Sequence, residues 1–241
     1  MLLGAPATAT AAGTDVLHFS VIKAMADNNV EPGADGVVAA TQKKQGNADN
    51  QTLDIMVTGL GKNTAYALVA SVDNDTNLTS VAEFVTDKKG EAAISYRNLG
   101  KGKGGGKNSD ALPLALNPVS QIRAVGIVNS NLQTVLTADL TAPDKLQYQV
   151  KRDLSNGAIK GTLQIQATTS QTHFKLSSTG LAANTDYLIA LNGGVIQTNN
   201  TGAKSTLNIN TLTGTPPAIL DLRTVEVWGA SSNVVLHADL P

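Results

Sequence analysis

The sequence predicts an all-β chain folded as two tandem antiparallel β-sandwich domains. Three observations carry this expectation. A segment of the chain is written twice, short apolar-polar alternations recur along its length, and turn residues separate them. The first copy reads TGLGKNTAYALV from Thr58 and the second TGLAANTDYLIA from Thr179, an offset of 121 residues. A repeat with a period above 100 residues is a pair of domains, because solenoid units run about 20–50 residues. Domains of this length are large enough to enclose a core.

The repeat continues on both sides of that motif. Upstream, Leu17–Val21 resembles Leu146–Val150. The triplet Gly36-Val37-Val38 matches Gly157-Ala158-Ile159 at the motif's own offset of 121. Downstream, Thr86–Gly90 matches Thr198–Gly202 at an offset of 112, while VLTADL at Val135 matches VLHADL at Val235 at 100. Length changes fall between matched elements, as expected when surface connections vary and paired strands do not. The layout read from this is an N-terminal arm (1–14), a first sandwich (15–141) and a second (142–241). The boundary sits near Pro143, which cannot donate to a strand ladder.

Period 2 places Leu53, Ile55 and Val57 on one face of a strand, then Tyr66, Leu68, Ala70 and Val72. The second copy repeats the pattern with Leu163, Ile165 and Ala167, then Leu207 and Ile209. Alternation of this kind buries one face and leaves the other in water. The stretch FSVIKAMAD allows a helix, but its counterpart YQVKRDL alternates, so both read as strands. Further strands are expected in VAEFVTD, EAAISYRN, VSQIRAVGIVN and LQTVLTADL. Aromatic residues are only 3% of the chain. The cores are therefore filled by Val, Ile, Leu and Ala, which suit a pleated surface.

The stretches GLGKNTAYALVASV and GLAANTDYLIALNG resemble a segment of immunoglobulin-like domains, including fibronectin type III. That resemblance implies that Leu60 and Leu181 plug the core where a strand ends. Tyr66 and Tyr187 would form a tyrosine corner, each hydroxyl bonding to backbone upstream as the chain crosses between sheets. Asn63 and Asn184 occupy turn positions, which Asn favours. The early Trp of fibronectin type III is missing, and the sole Trp is Trp228. Only the immunoglobulin-like architecture carries over, without binding residues.

Composition narrows the chemistry. Net charge is −1 and charged residues are 15% of the chain, well under the typical value of about 25%. This gives no electrostatic footprint for nucleic acid. The chain has no Cys, which excludes disulfides, thiolate metal sites and Cys nucleophiles. No apolar run of about 18 residues exists, so no transmembrane helix is expected. The Gly-rich LGKGKGGGKNSD fails the P-loop pattern at both ends. It reads as an insertion loop whose Lys101, Lys103 and Lys107 could contact an anion or partner. His18, His173 and His237 lack ligand spacing and read as ordinary strand or surface residues.

Asp139 and Asp239 repeat as lone acids and read as strand-end turn contacts. In VDNDTN, Asp73 and Asp75 offer alternating oxygens for calcium, but the Gly and distal Glu of an EF-hand loop are absent. That segment reads as a polar hairpin loop. Trp228 is a packing residue or a partner contact. Asn50, Asn74, Asn77 and Asn199 begin glycosylation sequons.

The expected function is a non-enzymatic structural subunit of an extracellular filament, surface layer or matrix. It would lie outside the cell or on its surface and self-associate through sheet edges and the arm, with no cofactor. The alternative is a cell-surface adhesin or carbohydrate-binding module that takes a glycan or other surface ligand.

Overall fold

The structure, a computed structural model, describes residues 15–73, 75, 77–98 and 110–241. The N-terminal arm and Lys101, Lys103 and Lys107 lie outside these residues. The described chain is built of strands and short 3-10 turns. It divides into two compact units, one of residues 18–147 and the other of residues 15–17 with 148–241.

The first copy runs through β1 (Val16–Ala24), β2 (Ala26–Asp27), β3 (Asp35–Gln45), β4 (Ala48–Thr58), β5 (Ala65–Val72), β6 (Thr79–Val85), β7 (Ala92–Asn98), β8 (Asp110–Ala111), β9 (Ile122–Val128) and β10 (Thr134–Asp139). One layer orders its strands β1-β3-β4-β7-β8, the other β2-β10-β9-β5-β6. The pairs β2–β10, β9–β10, β3–β4, β4–β7, β5–β6 and β5–β9 are antiparallel, and β7 pairs with β8 in parallel.

The second copy runs through β11 (Lys145–Asn156), β12 (Ile159–Thr168), β13 (Thr172–Thr179), β14 (Asp186–Leu191), β15 (Gly194–Asn200), β16 (Thr206–Ile209), β17 (Thr224–Trp228) and β18 (Val234–Asp239). Its layers are β11-β12-β13-β16 and β15-β14-β17-β18. Both units are thus sandwich-like, with two layers and a core between them.

Alternation decides which side chains fill that core. Leu53, Ile55, Leu163, Ile165, Leu176 and Ile189 are each 0% exposed. Each such side chain contributes about 1.5–3 kcal/mol by leaving water. The FSVIKAMAD stretch is strand, with Phe19 and Val21 inside. In VSQIRAVGIVN the strand begins only at Ile122, because Val119–Gln121 forms a 3-10 turn. A matching turn at Ile219–Asp221 precedes β17.

Pairing corrects two alignments made on sequence. Asp35 of β3 opposes Thr58, and Lys160 of β12 opposes Thr179. Gly36 therefore corresponds to Gly161, at an offset of 125, and not to Gly157. Val85 opposes Ala65 and Asn200 opposes Asp186. Thr86 therefore corresponds to Thr201, at 115 and not 112. The 100-residue offset of the last hairpin agrees with pairing: Val125 opposes Ala138, and Val225 opposes Ala238.

The main difference between copies lies before β3 and β12. In the first copy, Met25–Ala34 forms an extended connection. Its Ala26 and Asp27 pair with Thr137 and Leu136 along the outer edge of β10. Asn28 N–H donates to Val135 O at 3.0 Å, and Met25 is buried. In the second copy the connection is a tight turn at Gly157-Ala158, with Gly157 at φ 59. Nothing comparable covers β18, which ends its sheet among the described residues. The ion pairs Lys23–Asp144 and Arg152–Asp15, each within one unit, occupy equivalent positions in the two copies.

Candidate functional site

The repeated motif links β4 to β5 and β13 to β14, and each link passes from one layer to the other. Leu60 and Leu181 are 5% and 4% exposed at the crossing. The rings of Tyr66 and Tyr187 are buried beside them. Tyr66 Oη accepts the Gly61 N–H at 2.8 Å, and Tyr187 Oη accepts the Ala182 N–H at 3.1 Å. Asn63 and Asn184 take left-handed backbone conformations with φ 48 and 50. Their N–H groups donate to Asp87 O and Gly202 O. Short polar side chains tolerate this region best after glycine.

A threonine completes each corner. Thr86 Oγ1 donates to Gly61 O at 2.5 Å and accepts the Thr64 N–H at 3.0 Å. Thr201 Oγ1 donates to Ala182 O at 2.7 Å and accepts the Thr185 N–H at 3.1 Å. In both copies these bonds tie the motif to its own backbone and to the connection that follows the next strand, which fixes the crossing between layers. The hydroxyl of the Asn199 sequon is this buried Thr201.

The first corner carries one addition. Glu31 accepts from Tyr66 Oη at 2.6 Å and from the Gly61 N–H at 3.0 Å. Burial and then the bond to Glu31 push the Tyr66 hydroxyl up to about 12, against the opposing effect of Gly61. Glu31 lies in the extended connection that the second copy lacks. Sequence reading passes over it because nothing local links residue 31 to residue 66.

The most distinctive polar cluster lies on β17 and β18. Their alternation buries Val225, Val227, Leu236 and Ala238. It turns Glu226, Trp228, His237 and Asp239 to the outer face. Trp228 Nε1 donates to Glu226 Oε2 at 2.9 Å. His237 Nδ1 lies 3.1 Å from Glu226 Oε1, and its Nε2 lies 2.9 Å from Asp239 Oδ1. Burial lowers the His237 pKa, but the bonds to Asp239 and Glu226 and their charges outweigh it, and the net direction is up. Protonated, the ring donates to both carboxylates.

The first copy makes the same hairpin with Gly126, Val128 and Thr137 in place of Glu226, Trp228 and His237. The hairpin fold therefore does not require this cluster. The end of the hairpin explains part of the difference. Asp139 Oδ1 accepts from the Thr141 N–H and hydroxyl at 2.9 and 2.6 Å. The matching residue after Asp239 is Pro241, which has no N–H to give, and Asp239 turns to His237. The two ADL acids thus part ways: Asp139 closes a turn, whereas Asp239 pairs with a histidine. Sequence reading sets His237 among the ordinary strand residues; its pairing with Glu226 becomes visible only through strand register.

The remaining candidates are dispersed. His18 and His173 are exposed on separate strands, β1 and β13. Asp75 Oδ1 accepts the Asn77 N–H at 2.9 Å, and Asp73 has φ 53. Among the described residues, no three His, Cys, Asp or Glu side chains converge to hold a metal ion. Likewise, none of the described helices is long and apolar enough to cross a membrane. An open cleft of about 210 Å³ on the outer face of β12, β13 and β16 is lined by Lys160, Thr162, Ser177, Thr179, Thr206 and Asn208. It offers hydroxyls and an amide but no aromatic ring. No protein-family model matches the chain, and a search of curated proteins returns no relative.

Proposed function

We propose that the chain is a non-enzymatic structural subunit of an extracellular filament, surface layer or matrix. On this reading its two sandwich-like units are tandem immunoglobulin-like domains that serve as rigid spacers and associate through their sheet edges. One observation carries the proposal. Among the described residues, the sheet β15-β14-β17-β18 has no further strand paired beyond β15 or β18, which are seven and six residues long. Neither strand contains Lys or Pro. Exposed edges invite another chain to pair, and proteins that avoid pairing blunt them with Lys, Pro or very short strands. Exposed Val195, 48% accessible on β15, adds an apolar contact at one such edge.

Negative-stain microscopy and sedimentation of native protein test this reading. The expected result is filaments or sheets that grow with concentration. Monodisperse particles at every concentration would overturn it.

A second reading is a carbohydrate-binding module or adhesin, favoured by the Trp228–Glu226–His237 cluster on the outer face. Aromatic rings beside carboxylates suit the apolar faces and hydroxyls of a sugar. A glycan array with wild type and Trp228→Ala separates the two. Hits lost in the variant would support binding, and a blank array would leave the structural role alone.

A further inference from the structure

We propose that the open edge of β18 is the acceptor for residues Ala7–Ala12 of a second copy of the chain, which add as an antiparallel strand. The inference rests on the proposed self-assembly and names its joint. The first copy shows that this edge takes a strand. There, β2 pairs with Leu136 and Thr137 of β10, and Asn28 donates to Val135 O. The counterparts in the second copy are Val235, Leu236 and His237, on a strand with no outer neighbour among the described residues. One counterpart group is already met, because Asn156 Nδ2 donates to Val235 O at 3.1 Å. Beyond it, Leu236–Asp239 continues in regular register with β17.

The requirements of the edge select the occupant. In the first copy, Met25 lies against Gly36, where an added Cβ would stand 2.9 Å from Sδ. In the second copy Leu236 takes that place, with Cδ1 3.1 Å from a Cβ built on Gly161. The acceptor therefore needs backbone groups and small side chains rather than a large apolar plug. Residues 4–14, GAPATATAAGT, contain only Gly, Ala, Pro and Thr. Ala7–Ala12 follows the single Pro of this stretch and leaves every N–H free to pair. Its six residues span about 20 Å as a strand, the length of β18. The Asp15 carboxylate bonds to Arg152 of β11, so the arm departs from a fixed point. One arm and one acceptor per chain make a head-to-tail contact, and such contacts grow into rings or open filaments.

Because the chain has no Cys, cross-linking is unambiguous. Full-length protein carrying Cys at one position among residues 7–12 is mixed with full-length protein carrying His237→Cys, under mild oxidation. Hydrogen exchange of assembled wild type is compared with that of dilute wild type. The expected result is a disulfide between different copies at one or two arm positions, with slowed exchange at both residues 7–12 and Leu236–Asp239, by at least tenfold. If assemblies form but protection falls only on β6 or β15 and no cross-link appears, this inference is overturned and the structural role stands. In a single chain carrying both substitutions, a disulfide formed within that chain in dilute monomer overturns the second copy as occupant. Protein that stays monomeric with no cross-link overturns both.

Discussion

Removing the Tyr66 hydroxyl tests whether Glu31 reinforces the first corner. In Tyr66→Phe the ring stays buried, and its 5.8 Å stacking on Phe84 is retained. Two bonds are lost, from the hydroxyl to the Glu31 carboxylate and from the Gly61 N–H to Oη. Gly61 N–H is not orphaned, because Glu31 Oε2 lies 3.0 Å away. The loss is therefore that of one hydrogen bond to a charged group, about 1.5–3 kcal/mol. Partial exposure of Glu31 places it at the lower end of that range. Glu31→Gln weakens the same bond, and the double variant should cost about 1 kcal/mol less than the sum of the singles. Urea unfolding followed by circular dichroism reads both units, while fluorescence of Trp228, the sole Trp, reads only the unit of residues 148–241. The substitutions should shift the first signal and leave the second in place. Additive costs, or an equal shift in Trp228 fluorescence, would refute the reasoning. A pH arm accompanies it. The Tyr66 hydroxyl has its folded pKa raised to about 12, above the ordinary value of about 10. Its contribution is full below pH of about 10 and is lost as pH rises through about 12.

Four further outcomes are expected. Tyr187→Phe removes the hydroxyl that accepts the Ala182 N–H and should cost about 1–2 kcal/mol, seen this time in Trp228 fluorescence. Gln51→Leu should cost about 2–3 kcal/mol in the first unit by urea unfolding, because Gln51 is 0% exposed and its Oε1 accepts the Val119 N–H at 2.8 Å. Gly59→Ala should destabilise the first corner by more than about 1 kcal/mol on thermal unfolding, since Gly59 has φ 72 and an added Cβ would strike Gly33 O. The raised pKa of His237 should stabilise its unit most fully below pH of about 6.5. That contribution should fade as pH rises through the higher folded value, and His237→Gln should flatten the dependence of the Trp228 unfolding midpoint on pH.

The corner shows how much can be read locally. Leu60, Asn63 and Tyr66 lie within one turn, so spacing alone brings the hydroxyl back to Gly61. Glu31 lies 35 residues from Tyr66, and the path between them crosses a hairpin. No periodicity reports such an approach. The same limit applies to the cluster of Glu226, Trp228 and His237. Glu226 and Trp228 alternate on one strand, but only the β17–β18 register brings His237 opposite Glu226.

The sequence by itself determined the all-β class, the duplication and the buried face of each strand, because period-2 burial and turn chemistry act over a few residues. Tertiary structure decided the registers, correcting Gly157 to Gly161 and moving Thr86 opposite a different threonine in the alignment. It also decided which edge is closed. A ten-residue connection before β3 covers β10, and its loss before β12 leaves β18 without an outer strand among the described residues. Strand pairing joins residues about 110 positions apart, such as Asp27 and Leu136, and is selected by the packing of whole layers. A local pattern specifies that a strand has two edges; only the folded layers decide which of them meets water.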